Sequence, residues 1–315
     1  MTLSCFTPLS WSYIPTYSRS AQSTSLQLKS IKIDSTSRFI PFGMHACQSR
    51  EELANQLVPE LHRIPTIVRG IPESLRELIL LSSYVAIPFG SEAILDVSSY
   101  APSDSVRQIA QRGLRKGTIG GGQGEAYPSA LPLMKDLQRE APLRGLFRRF
   151  PTKSQYFFSF TESKDSALSA WISLTRRGQY HMHLEQLQRS DRASTGAMEA
   201  LLLRAIHFAQ ESGFQTLSLG EVPCVLPKEY DGSNPSISGR FLRLINQCGK
   251  WILQPGYSAG GLFNFKDKFS PRWEPIYWLI PKERGYAIFA ETLAATGVVR
   301  LIVKGRTKRL QCTHS

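Results

Sequence analysis

The chain has 315 residues, a formal net charge of +13 and 42% hydrophobic residues. This length fits one large domain or two ordinary ones, and the apolar content suffices for a core, which excludes a mainly disordered protein. The excess of positive charge favours a polyanionic partner such as nucleic acid, an anionic membrane surface or a phosphorylated substrate, although a merely basic surface would give the same total.

The cysteines and the hydropathy pattern exclude further classes of protein. Five scattered cysteines fit neither a zinc module nor a disulfide framework, and they indicate reduced thiols. No uncharged stretch is long enough to cross a bilayer, so we expect a soluble or peripheral protein without a transmembrane segment.

Residues 1–38 are rich in Ser and Thr, and their first acidic residue is Asp34. This composition predicts a disordered leader and is also typical of an organelle transit peptide. A first domain is expected over 39–150, with elements separated by Gly and Pro signals. Its predicted elements are helices at 49–64 and 71–84, a strand–turn–strand at 84–100, a helix at 103–117, a glycine-rich connector at 117–127 and a helix at 129–141.

A second domain is expected over 151–285, where apolar alternation and helical periodicity are clearer. Its predicted elements are strands at 156–162, 167–177 and 179–189, a helix at 196–213, a buried strand at 214–223 and a helix at 238–251. Strands followed by a helix and another strand predict an α/β or α+β fold around a mixed sheet. Residues 286–315 are expected to form an amphipathic and basic tail, either lying on an anionic bilayer or docked as a terminal helix.

The first candidate site is the loop between the strand at 179–189 and the following helix. A helix start offers unpaired N–H groups to a phosphate or a developing oxyanion. Arg189 and Arg192 flank the loop, and Glu199 lies in the first turn. The alternative is that Glu199 only complements the helix dipole and that the arginines are solvated. A single glycine, Gly196, argues against an acyl-coenzyme A loop.

Two further clusters are candidates for binding. His183 and Glu185 alternate on one strand face with His181, which suits a base or a substrate contact better than a metal site, or else a solvated polar face. Four cations with no acid between them lie on the helix at 103–117, which favours phosphate contacts or, alternatively, a solvated face. They are Arg107, Arg112, Arg115 and Lys116.

Five motifs in this order resemble the catalytic domain of bacterial aminoacyl-phosphatidylglycerol synthases, the multiple peptide resistance factor family. They cover roughly 84–281 and read GSEAILDVSSY, RQIAQRGLRKG, EQLQRSDRASTGAMEALL, LSLGEVP and GLFNFKDKFSPRWEPIYW. The resemblance implies two tandem acetyltransferase-like (GNAT) domains with mixed sheets flanked by helices. It also implies transfer of an amino acid from aminoacyl-tRNA to a lipid hydroxyl, such as that of phosphatidylglycerol, at the inner face of a membrane. No cofactor and no metal are implied.

The resemblance also assigns roles to single residues. Arg189 and Lys266 would contact phosphate or the oxyanion, and Glu199 would bind the ammonium of the amino acid or assist proton transfer. Beyond these three carried-over residues, we expect Glu185, His183, Glu221 and Trp273 to contact substrate. Arg107, Arg112, Arg115, Lys116 and Arg192 would bind the phosphates of tRNA.

The sequence departs from the family at two positions. Gln186 replaces an aspartate of the central run, and Ile276 replaces an arginine of the closing signature. The family's membrane-spanning flippase part is also absent from this sequence. Two rival functions therefore stay open, namely another acyltransferase on the same fold and a non-catalytic protein that binds RNA or anionic lipid. In the closing signature, Leu262, Phe265 and Phe269 are predicted to pack one face of a short helix.

Overall fold

The computed structural model describes residues 6–8, 30–40, 50–79, 83–123, 156–176, 180–226, 258–284, 287–299 and 303. The predicted helices at 129–141 and 238–251 lie outside this part of the chain. The strands are β1 (Phe6–Pro8), β2 (Ile31–Lys32), β3 (Arg38–Ile40), β4 (Thr66–Pro72), β5 (Tyr84–Asp96), β6 (Gly117–Gln123), β7 (Tyr156–Glu162), β8 (Leu168–Arg176), β9 (His181–Ser190), β10 (Thr216–Pro223) and β11 (Arg272–Pro281). The helices are α1 (Arg50–Arg63), α2 (Glu73–Arg76), α3 (Asp104–Leu114), α4 (Ala197–Glu211), α5 (Ala259–Asp267) and α6 (Ala287–Ala295).

One mixed sheet runs through the described residues in the order β2-β3-β4-β11-β5-β10-β9-β8-β7-β6, and β1 adds to β9. The parallel pairs are β3 with β4 and β9 with β10, and a helix connects the strands of each pair. Strands β7 to β10 and helix α4 match the predicted elements. Apolar side chains from these strands and from α3 and α4 form the larger core. A second core lies under α1 and strands β4 and β11.

The chain contains an internal repeat that the sequence analysis missed. Among the described residues, each copy runs strand, helix, parallel strand, helix, strand, namely β3-α1-β4-α2-β5 and β9-α4-β10-α5-β11. In the second copy, residues 227–257 between β10 and α5 lie outside the described part of the chain. The strands β4 (TIVRGIP) and β10 (TLSLGEVP) both begin their parallel pairing at a threonine, Thr66 or Thr216. Both have a glycine at the fifth position with positive φ, 80° at Gly70 and 84° at Gly220.

The two copies exchange their last strands. β5, which ends the first copy, pairs with β10 of the second, and β11, which ends the second copy, pairs with β4 of the first. β5 and β11 also pair with each other along their length, at the centre of the sheet. The two halves are therefore joined by continuous main-chain hydrogen bonding and not by a linker alone.

Three expectations need correction. β5 is one strand over 84–96 where a strand–turn–strand was predicted, because Pro88 and Gly90 lie at a bulge against β11 that accommodates the proline without ending the strand. The predicted glycine-rich connector begins as strand β6, whose glycines permit a close approach to β7. A Cβ on Gly121, where φ is 111°, would lie 2.2 Å from the carbonyl oxygen of Phe157.

The third correction concerns the end of the predicted disordered leader. Residues 30–38 contain β2 and a turn in which Asp34 accepts hydrogen bonds from the backbone N–H groups of Thr36 and Ser37, at 2.6 and 2.7 Å. The same carboxylate lies 2.6 Å from Arg284, so this turn is held against the segment before α6. Composition alone could not reveal this long-range partner.

Candidate active site

The candidate site lies where β9 and β10 separate. The two strands pair in parallel over only three positions, from His181 opposite Thr216 to His183 opposite Ser218. Both strands continue beyond this point without pairing with each other. On their other edges β10 stays paired with β5 and β9 with β8, and β1 pairs with the far end of β9. A gap therefore opens between β9 and β10, and polar side chains gather beside it.

A hydrogen-bonded chain links the two strands at the start of this gap. Ser218 Oγ donates to Glu92 Oε1 at 2.6 Å and accepts from the backbone N–H of Gly220 at 3.0 Å. His183 Nδ1 lies 3.0 Å from the same hydroxyl. Because the single hydroxyl proton goes to the carboxylate, Nδ1 carries the hydrogen of this bond and donates it. Ser218 and Glu92 therefore fix the orientation of the His183 ring.

A buried ion pair lies on the neighbouring positions. Arg69 Nη2 is 2.6 Å from Glu221 Oε2, and both side chains are almost fully buried. Glu221 is directly opposite Glu92 across the β10–β5 pair. Burial raises the pKa of Glu221, the nearby Glu92 carboxylate adds to this rise, and Arg69 and Lys266 oppose it without cancelling it. Charged residues of both signs are thus held together away from water.

Lys266 of helix α5 closes this cluster. Its side chain is fully buried, and Nζ donates to the main-chain oxygens of Gly220 at 2.9 Å and Glu221 at 3.2 Å. Burial lowers the pKa of Lys266 to about 7, against the opposing effect of the Glu221 and Glu92 carboxylates. The ammonium has three N–H donors, so one remains beyond these two bonds.

Glu185 is the other buried acid of β9. Thr175 Oγ1 donates to Glu185 Oε2 at 2.5 Å, and the neighbouring Gln186 accepts from Ser173 at 3.1 Å. Gln186, which stands where the family has an aspartate, is therefore a neutral, hydrogen-bonded side chain in the interior.

Glu199 and Trp273 lie near α5 and make contacts of their own. Glu199, buried in the first turn of α4, is paired with Lys268 Nζ at 3.0 Å. Trp273 is half-buried and stacks on Phe263 with ring centroids 4.5 Å apart, and its indole N–H donates to Asp267 at 3.0 Å.

The predicted phosphate-binding residues are all exposed. Arg189 lies at the end of β9, and Arg192 follows it in the loop before α4. The cations of the basic helix lie along α3 and just after it: Arg107, Arg112, Arg115 and Lys116.

The structure therefore connects His183, Glu221 and Lys266 in one network. Arg69, Glu92 and Ser218 complete this network, and the sequence analysis assigned no role to them. Arg69 and Glu92 could have been suspected, since each is a lone charge within an otherwise uncharged strand interior. The described residues contain no cluster of three or more His, Cys, Asp or Glu side chains able to hold a metal ion. Nor, within those ranges, is any helix long and apolar enough to cross a membrane.

The separating parallel strands, the helix that connects them and the antiparallel strands beside them define an acetyltransferase-like fold. The expected fold class, a mixed sheet flanked by helices, is confirmed. Residues 143–280 match the family described as phosphatidylglycerol lysyltransferase, C-terminal. The resemblance inferred from the sequence motifs, to the C-terminal catalytic domain of this family, is thereby confirmed.

Two solved structures are similar over most of the chain. L-PGS from Bacillus licheniformis superposes with a TM-score of 0.56 at 17% identity, covering 87% of this chain and 84% of that one. The C-terminal domain of a protein assigned as a lysylphosphatidylglycerol synthetase from Agrobacterium fabrum gives a TM-score of 0.59 at 18% identity, covering 84% of each chain. At these low identities the superpositions show a shared fold alone. No curated protein matches the chain significantly.

Proposed function

We propose that this protein transfers an amino acid from aminoacyl-tRNA to a lipid hydroxyl, such as that of phosphatidylglycerol, at a membrane surface. The observation that carries the proposal is the buried network of His183, Ser218, Glu92, Glu221, Arg69 and Lys266 beside the gap between β9 and β10. Most of it lies within the segment that matches the lysyltransferase family. Arg69 and Glu92 come from the preceding half.

The reaction is a transesterification, and its protons can be assigned to the network. His183 Nε2 takes the proton of the lipid hydroxyl, whose oxygen attacks the carbonyl carbon of the aminoacyl ester. The bond from that carbon to the ribose oxygen of tRNA breaks, and this oxygen takes up the proton that His183 removed from the lipid hydroxyl. The remaining N–H of Lys266 stabilises the oxyanion formed between these steps. The ester bond is already activated, so the transfer needs no further energy source.

The carboxylates suit the amino group of the substrate. Glu199 already accommodates an ammonium, that of Lys268, so an aminoacyl ammonium can compete for the same oxygen. Glu185 and Glu221 offer further negative charge, and the half-buried Trp273 provides a wall. Arg189 and the cations of α3 and the loop before α4 are assigned to phosphates of tRNA.

The network is closed to solvent, so substrates require an opening. Strand β1 pairs with the far end of β9, next to the gap, and its displacement would expose that edge. Reaction in a site without bulk water strengthens the electrostatic effect of each charge and limits hydrolysis of the ester.

Transfer can be measured with the purified chain, tRNA charged with a labelled amino acid, and phosphatidylglycerol vesicles. We expect label in the lipid extract, dependent on charged tRNA and absent with free amino acid. Vesicles of phosphatidylcholine, which lacks the glycerol hydroxyls, are the matched control. If no label reaches lipid with any aminoacyl-tRNA, while RNA or vesicles still bind, the protein is a binding module and the proposed function is wrong.

A further inference from the structure

A second polar cavity lies outside the network described above. It has a volume of about 520 Å³ and is formed by the turn between β7 and β8 and by the loop between β9 and α4. Three exposed cations line it, Lys116, Lys164 and Arg192, and none of them forms an ion pair within the described ranges. Unpaired cations around a concave surface are the arrangement that an anion requires.

A buried hydroxyl points to a ligand at this cavity. Ser190 lines it and is only 3% exposed, yet its Oγ has no hydrogen-bond partner among the described residues. Buried polar atoms are almost always hydrogen-bonded, because leaving one unpaired is unfavourable. A ligand atom that accepts a hydrogen bond would satisfy the Ser190 hydroxyl once a small side-chain movement uncovers the buried Oγ.

The two acidic residues of the cavity form hydrogen bonds that hold its walls together. Glu162 Oε1 accepts from Ser169 Oγ at 2.6 Å and from the backbone N–H of Ser194 at 2.9 Å, and Oε2 accepts from Ser194 Oγ at 2.6 Å. This carboxylate therefore ties the end of β7 to β8 and to the loop before α4. Asp165 Oδ1 accepts from the backbone N–H of Ala167 within the turn. The hydrogen bonds of both acids hold the shape of the cavity, and the three cations face it as donors.

The surface beside the cavity indicates a long polyanion in preference to a single headgroup. Arg112 lies in the last turn of α3, Arg115 and Lys116 follow the helix, and these three exposed cations form no ion pair within the described residues. Arg107, about 8 Å before Arg112 at the rise of an α-helix, is paired with the exposed Asp104 at 3.2 Å. A lipid headgroup needs one anion site, whereas an RNA backbone presents successive phosphates to such a track.

We propose that this cavity binds a backbone phosphate in the single-stranded 3′ end of an RNA, with Ser190 donating a hydrogen bond and Lys116, Lys164 and Arg192 neutralising charge. The proposal rests on the proposed function for the identity of the RNA, and it adds Lys164 and Ser190 to the residues that bind it. The cations of α3 then follow the adjoining strand.

The test measures how tightly the full chain binds a labelled RNA hairpin that has an unpaired CCA 3′ end. The same hairpin with a blunt end is the comparison. We expect Ser190→Ala to weaken binding of the overhang hairpin roughly tenfold, as for a lost hydrogen bond to a charged group, without changing the salt dependence. Lys164→Gln should weaken it by a similar factor and lower the slope of log affinity against log salt by about 0.7. Neither variant should alter binding of the blunt hairpin.

Two controls separate this role from a structural one. Lys282→Gln removes an equally exposed lysine from the turn after β11 and should leave overhang binding unchanged. The melting temperature of Ser190→Ala should equal or exceed that of the parent, because the hydroxyl has no partner among the described residues. A variant that binds less tightly but is no less stable indicates a ligand contact.

Unchanged overhang binding in both variants would overturn the proposal. A loss of binding to phosphatidylglycerol vesicles without loss of RNA binding would also overturn it and would assign the cavity to a lipid phosphate. If the variants weaken RNA binding while no amino acid is transferred to lipid, the cavity proposal stands and the proposed function falls. If the parent protein transfers amino acid to lipid and the variants change neither this transfer nor RNA binding, only the cavity proposal is wrong.

Discussion

Strands β4 and β10 occupy equivalent places in the two copies of the repeat, yet they carry different chemistry. Where β10 has the polar Ser218, β4 has Val68 at the same distance from its first threonine. Each strand carries one buried charge beside its positive-φ glycine, arginine in β4 and glutamate in β10. These two charges pair with one another at 2.6 Å.

This difference shows how a repeated fold can hold one reaction site. The second copy contributes His183 and the serine that orients it, whereas the first copy contributes the counter-charge Arg69 and, through its exchanged strand β5, Glu92. Neither copy contains the whole network. Four experiments test this division of roles.

The largest effect is expected from removing the charge that joins the copies. Arg69→Ala leaves the Glu221 carboxylate buried without this ion pair, so the free energy of unfolding should fall by roughly 3–5 kcal/mol in denaturant titrations. Arg63→Ala, which breaks an exposed pair with Glu60 on α1, should lower it by less than about 1 kcal/mol. The double variant Arg69→Met/Glu221→Leu should regain most of the stability. A double variant as unstable as the single one would contradict the assignment.

A second experiment makes the strand β10 resemble β4 in polarity. Ser218→Ala removes the hydroxyl between His183 and Glu92, and the rate of amino-acid transfer should fall roughly a hundredfold as the base loses its orientation. The pH profile should also change, since Glu92 no longer acts on His183 through the serine. Val68→Ala at the equivalent position of β4 should lower stability but leave transfer per folded molecule intact. Equal loss of transfer in both variants would refute the division of roles.

A third experiment concerns pH and the buried lysine. The pKa of Lys266 is about 7 in the folded protein and ordinary in the unfolded chain, so the unfolded state binds the additional proton between these values. The contribution of Lys266 to stability should therefore rise with pH above about 7, by at most about 1.4 kcal/mol per pH unit. The raised pKa of Glu221 acts in the opposite direction above its unfolded value. The difference between the parent and Lys266→Met at pH 7 and 9 isolates the lysine, and a difference independent of pH would exclude a lowered pKa.

The smallest effect is expected at the two equivalent glycines. Gly70→Ala and Gly220→Ala each place a side chain at positive φ, and each should destabilise by roughly 1–2 kcal/mol. Gly260→Ala lies in helix α5 with open space around the added Cβ, so it should stabilise by up to about 1 kcal/mol. Thermal unfolding of the three variants shows whether alanine destabilises only where φ is positive or at any glycine position. Unequal losses at Gly70 and Gly220 would show that the two glycine positions are not equivalent.

The sequence was most informative where local patterns decide the structure. Strands β7 to β9 and helix α4 follow from alternation and helical periodicity, because each has a consistent apolar pattern. Strand β4 was missed, since it is buried on both faces and too short to show alternation. The exchange of β5 and β11 depends on pairings between residues far apart in the chain, which no local signal reveals.

Only part of the candidate site could be predicted, because some of its residues come from strands far apart in the chain. Lys266 and His183 were found through motif and spacing. The other copy supplies Glu92, which Ser218 links to His183, and Arg69, which pairs with Glu221. Lys266 proved to be fully buried and bonded to carbonyl oxygens, which could not be inferred from its place in a signature rich in charge. Burial of a charge is a property of the assembled sheet, and a single sequence gives little evidence of it.

The exchanged strands also constrain how the chain can fold as it leaves the ribosome. Strand β4 ends at Pro72, and its neighbour β11 begins only at Arg272, about 200 residues later. Domains usually fold as they are synthesised, from the N-terminus onward, but here the early half has to wait with an unpaired strand edge. A nascent chain that stops before β11 therefore exposes the edges of both β4 and β5. Intermediates with unpaired strand edges are prone to aggregate, and chaperones bind intermediates of this kind.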